Sequence, residues 1–81
     1  MNDQHILLVE DDESLQKLIE KLLLNNNYIV SKANNIEEAE KLVKLFIFDL
    51  IILDVMLPDS TGLEFYKNSI KDRINAPVIF L

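Results

Sequence analysis

Residues Phe48 to Asp59 read FDLIILDVMLPD. Leu50-Ile51-Ile52-Leu53 is a continuous apolar run, too short for a buried helix and of the length and composition of a strand covered on both faces. It delivers one carboxylate, Asp54, resumes as Val55-Met56-Leu57, and is broken by Pro58. An ionised carboxylate beside a core costs free energy unless something pairs with it. The chain must therefore bring a partner to Asp54 from elsewhere.

On either side of this stretch, buried runs alternate with amphipathic ones. His5 to Val9 (HILLV) reads as another covered strand, and the acidic cluster Glu10-Asp11-Asp12-Glu13 follows it. Leu15, Leu18, Ile19, Leu22 and Leu23 fall on one helical stripe, and Asn25-Asn26-Asn27 supplies a left-handed C-cap in place of glycine. Tyr28 to Ala33 reads as a second strand, β-branched and less buried than the first. Asn35 and Glu38 have the spacing of a capping box. The helix they open turns Ile36, Ala39, Leu42, Val43 and Phe46 inward and offers Glu37–Lys41 and Glu40–Lys44 pairs outward. Asp49 to Leu53 is the third strand and Pro58 to Gly62 a loop. Leu63, Tyr66 and Ile70 mark a third helix, and Pro77 to Leu81 begins a fourth strand.

This β-α-β-α-β-α-β order implies an α/β fold with a parallel sheet and right-handed crossovers. In such sheets ligands bind beyond the carboxyl ends of the strands. Glu10-Asp11 follows strand one and Asp54 ends strand three, so the three share a crevice if those strands are neighbours. Carboxylates about 4 Å apart repel by roughly 4 kcal/mol per pair at an effective dielectric of 20. A hard divalent cation relieves this, and Mg²⁺ characteristically uses one or two carboxylates, waters and a phosphate. The same cation would neutralise an incoming phosphoryl group and let a carboxylate attack phosphorus.

Composition narrows the function classes. The 81 residues allow one small domain, and 49% of them are hydrophobic, which argues against a disordered tail. With no Cys, neither a disulfide scaffold nor a Cys-ligated zinc site can form. No cationic leader precedes an apolar stretch, and no run reaches the roughly 18 residues a membrane span needs. The expectation is a cytoplasmic protein with no membrane association. A formal net charge of -6 opposes direct nucleic-acid binding by this segment.

The stretch LLVEDDESL (7–15), then FDLIILDVMLPDSTGLEF (48–65), then APVIFL (76–81) resembles the receiver domain of bacterial two-component response regulators, of the subfamily joined to a DNA-binding output domain. The resemblance runs over the whole chain, and three motifs in order make it specific. It implies a flavodoxin-like three-layer fold with strand order 2-1-3-4-5. Asp54 matches the phosphoacceptor, which takes a phosphoryl group from the histidine of a sensor histidine kinase. Glu10 and Asp11 match the acidic pair, with Asp11 on Mg²⁺ directly and Glu10 through water. Met56 matches the position whose backbone carbonyl reaches the metal. Pro58 and Gly62 match loop positions, whereas Thr61 stands where many relatives carry Asp. Asp12 falls one place beyond the pair and is expected to start the helix.

Receiver domains carry a Ser/Thr after the fourth strand and a Lys after a fifth. Residues 1–81 are thus expected to be the N-terminal part of a receiver, lacking its last helix, strand and helix. The fragment is expected to be impaired in phosphotransfer and switching, without substrate turnover of its own. It is also expected to form a homo-oligomer through the fourth-strand edge or an uncovered sheet face.

Two rival readings compete with this one. A phosphohydrolase of the haloacid-dehalogenase type needs Asp-x-Asp, where this chain has Met56. The other is an interaction module with a vestigial acidic pocket. Simpler readings give Asp54 a turn-capping role and Glu10-Asp11 a helix-start role. His5 is expected to be solvated or at an edge, Phe65 and Tyr66 to pack, and Lys67 and Lys71 to face solvent.

Overall fold

The computed structural model of the chain describes residues 4–59, 61–70 and 75–81. Strands β1 (His5–Val9), β2 (Ile29–Ala33), β3 (Leu50–Leu53) and β4 (Val78–Phe80) form one parallel sheet in the order β2-β1-β3-β4. The register places Val9 opposite Ala33 on one side and Leu53 on the other, so β1 and β3 are central neighbours. That is the adjacency on which the acidic crevice depends.

Side chains alternate across the pleat, and the two faces divide accordingly. Leu7, Val9, Ile51 and Leu53 point to one face, where α2 (Ile36–Leu45) and α3 (Gly62–Phe65) bring Ile36, Ala39 and Phe65. Ile6, Leu8 and Ile52 point to the other, where α1 (Glu13–Asn25) brings Ile19 and Leu23. The three layers match the flavodoxin-like expectation.

The caps explain where the helices begin and end. Asp12 is the N-cap of α1, its carboxylate accepting from Ser14 N–H at 3.0 Å and Leu15 N–H at 3.1 Å. Asn27 takes the expected left-handed conformation beyond its end, with φ 68°. Asn35 caps α2 through Glu38 N–H at 2.8 Å, but the Glu38 carboxylate reaches back one residue further than a standard box, to Asn34 N–H at 2.7 Å. Glu37 and Lys41 pair at 3.8 Å on the outer face.

Several expectations are corrected. On the α1 stripe only Ile19 and Leu23 pack against the sheet; Leu15, Leu18 and Leu22 are exposed, the last two at 57% and 56%. One helix reaches a flat layer along a narrow line, so the flanks of a wide stripe face solvent among the described residues. Phe46 caps the end of α2 instead of lying on its inner face, and is half exposed. The third helix is short and runs on as a wider π-helical turn over Tyr66–Ile70. The residue it buries is Phe65, whereas Leu63 is exposed. Lys67 faces solvent as expected, while the Ile70 side chain and Lys71 lie outside the described residues. His5 is half-buried at the start of β1: its Nε2 lies 2.7 Å from Ser31 Oγ, and its ring packs on Phe48 with centroids 4.5 Å apart.

Candidate functional site

At the carboxyl end of the central strands β1 stops at Val9 and β3 at Leu53, and each hands its next residue to the crest. Asp54 N–H donates to Val9 carbonyl at 3.0 Å, which extends the β1–β3 ladder by one bond and ties Asp54 to the root of the Glu10–Asp11 turn. One carboxylate oxygen from each of Glu10, Asp11 and Asp54 lies within 4.8 Å of the others. Glu10 is 2% exposed, Asp54 half-buried and Asp11 open to solvent.

Burial pushes the Glu10 carboxyl above its ordinary range; the Asp12 N–H on Oε2 at 3.0 Å opposes the shift, and the Asp54 and Asp11 carboxylates reinforce it. Among the described residues no lysine pairs with any of the three carboxylates; the ion pairs are Lys32–Glu20 and Lys41–Glu37. A crowded all-oxygen donor set without a cationic side chain fits a hard divalent ion.

The loop after Asp54 is held closed. Met56 N–H donates to Asp54 Oδ1 at 3.0 Å, Gly62 N–H to Val55 carbonyl at 2.7 Å, and Met56 bridges to Thr61 in antiparallel fashion. Gly62 has an ordinary φ, and space is what requires glycine: a Cβ would overlap the Asp54 carbonyl oxygen and stand 3.1 Å from Val55 Cα. The loop's tip is tethered too, because the Asp59 carboxylate accepts from Ile36 N–H at 3.0 Å and Glu37 N–H at 3.1 Å at the start of α2. Those bonds, that to Ile36 foremost, hold the Asp59 carboxyl below its ordinary value.

All three carboxylates singled out in the sequence thus converge. Met56 contributes its N–H to Asp54, and its side chain is exposed. Asp12 caps α1 and His5 lies at the opposite end of β1, so neither belongs to the cluster. Sequence reasoning missed Asp59 and Gln16. Gln16 is 6% exposed, with Nε2 2.8 Å from the Glu10 carbonyl. Gln16 lies on the helical line of Ile19 and Leu23, but a polar residue there gives no signal of burial, and no local spacing links Asp59 to α2.

A doubly wound α/β layer with a carboxylate cluster at its crest defines a class of protein that works on ligands at the strand ends. The family model described as "Response regulator receiver domain" matches residues 6–81. The regulatory protein VanR of Enterococcus faecium is 38% identical over 81 residues, covering 100% of this chain and 34% of VanR. The cell cycle transcriptional regulator CtrA of Caulobacter vibrioides is 34% identical over 94% of this chain and 33% of its own length. Among solved structures, the response regulator protein TrrA of Thermotoga maritima, in complex with Mg²⁺-BeF, superposes with a TM-score of 0.87 at 32% identity, covering 95% of this chain and 67% of that one. This chain belongs to the response regulator receiver family, a family of signalling modules. It spans about a third of the length of the curated relatives it matches. No helix among the described residues is long and apolar enough to cross a membrane.

Proposed function

We propose that the chain is a phosphoacceptor module in which Asp54 takes a phosphoryl group from the phosphohistidine of a sensor histidine kinase. The observation that carries this is the convergence of Glu10, Asp11 and Asp54 at the ends of two adjacent parallel strands. An Asp54 carboxylate oxygen forms a bond to phosphorus while the P–N bond breaks, and the imidazole leaves with the electron pair. Met56 N–H on Oδ1 fixes the carboxylate's rotation, so one oxygen is anchored while the other turns to the donor. Asp11 and Asp54 would hold Mg²⁺ directly, Glu10 through water and Met56 through its carbonyl. What magnesium supplies when bound is positive charge shared between the carboxylates and the phosphoryl oxygens.

The parent protein, on this reading, is a cytoplasmic transcriptional regulator whose DNA contacts lie outside this acidic segment.

The test is Mg²⁺-dependent labelling by a small phosphodonor, read by intact mass, with beryllofluoride binding as a second readout. Labelling that is lost in Asp54→Asn supports the reading. Labelling that survives in Asp54→Asn, or beryllofluoride binding indifferent to Mg²⁺, defeats it.

A second reading, an associating module with an idle pocket, is favoured by the exposed apolar residues Ile79, Phe80 and Leu81 on and after β4. Concentration-dependent sedimentation without any Mg²⁺ binding would select it, with pairing through the β4 edge or the open α1 face.

A further inference from the structure

Gln16 is a buried amide on a helix whose other inward residues, Ile19 and Leu23, are apolar. Left unpaired, such a group is costly to bury, so its bonds show what it is for. Nε2 donates to Glu10 carbonyl at 2.8 Å and to Asn34 Oδ1 at 2.9 Å, with Ala33 carbonyl further away at 3.4 Å. Two N–H groups meet two close acceptors, which locks the amide plane. Ala33 carbonyl in turn accepts Glu10 N–H at 3.0 Å. The main chain of Glu10 is therefore gripped on both sides, its N–H by β2 and its C=O by α1. That C=O belongs to the peptide unit from which Asp11 springs.

We propose that Gln16, steadied by Asn34, is a positioning residue that orients the Glu10–Asp11 peptide so that both carboxylates face Asp54, and thereby sets the pocket's affinity for a divalent cation. This rests on the reading of the pocket given above. A tie between α1 and β2 alone is met by the bond to Asn34; the bond to Glu10 is the one that reaches the cluster. Groups that orient metal ligands from behind typically change metal affinity 10- to 100-fold when removed.

The experiment is a titration of the 81-residue protein with Mg²⁺ alone, followed by amide chemical shifts, on the unaltered chain, Gln16→Met and Asn34→Ala. Thermal unfolding in chelator records any purely structural cost separately. For Gln16→Met the dissociation constant rises about tenfold and the metal-free Asp11 amide shift moves; for Asn34→Ala the rise is about threefold. A folded Gln16→Met protein with unchanged affinity overturns the proposal, however much its melting temperature falls. Should that variant not fold, Asn34→Ala decides, and an unchanged constant again overturns it. If the unaltered protein binds no Mg²⁺, the pocket reading fails instead. The metal-free Asp11 amide shift then judges the positioning role alone, and an unmoved shift rejects it.

Discussion

The two faces of the sheet are built from the same strands but are unequally covered. Toward α2 and α3, Leu7, Val9, Ile51 and Leu53 are fully buried and joined by Ala33, Ile36, Ala39, Phe48 and Phe65. Toward α1, the buried set is Ile6, Leu8 and Ile52, and their register neighbour on β4, Ile79, is 51% exposed. Neighbouring residues such as Ile51 and Ile52 therefore have different energetic weight, although they are chemically identical. Among the described residues more buried apolar side chains lie on one side than on the other, and the acidic crest sits where the two sides meet.

Substitutions on the two faces test that contrast. The largest effect is expected at the best-packed aromatic of the heavier face. Phe65→Ala should cost about 3–5 kcal/mol by chemical denaturation, a large part of the stability of so small a domain. Next comes the paired comparison, with Ile51→Ala costing about 4 kcal/mol and Ile52→Ala about 2 kcal/mol. Equal losses at the two positions would abolish the distinction between faces.

At the crest, Glu10→Gln should stabilise the metal-free protein at neutral pH by about 1 kcal/mol. That is well below the bare repulsion of a close like-charge pair, because Asp11 is open to solvent. The sign follows from the raised Glu10 value. The folded state holds that proton more tightly than the unfolded chain, so its contribution is present below the ordinary carboxyl range and lost as pH rises through the folded value. Thermal melts across mildly acidic pH should show this fall in the unaltered protein, and Glu10→Gln should flatten it. The smallest change belongs to the lighter face: Leu18→Gln should shift stability by no more than about 0.5 kcal/mol. A larger loss would mean that α1 is covered in solution.

Much of this was legible in the sequence, for identifiable reasons. His5–Val9 and Leu50–Leu53 stand out because strands covered on both faces need unbroken apolar runs. The convergence of Glu10, Asp11 and Asp54 followed from the rule that parallel strands present their carboxyl ends to one crevice. The stripe on α1 was also visible, but not how little of it would be buried. Periodicity reports a face, and the width of the opposing surface decides how much of that face is covered. Phe65 packs as its aromatic character predicts, whereas Leu63, on the predicted helical stripe, is exposed. Gln16 and Asp59 were opaque since their partners come from other elements and carry no local pattern.

The Asp59 tether has a consequence for where charge can rest. The opening turn of a helix is ordinarily a ready seat for an oxyanion, through its free N–H groups and the dipole behind them. In α2 the chain's own carboxylate already fills that seat at Ile36 and Glu37. An incoming negative group is therefore denied this stopping place beside the crest.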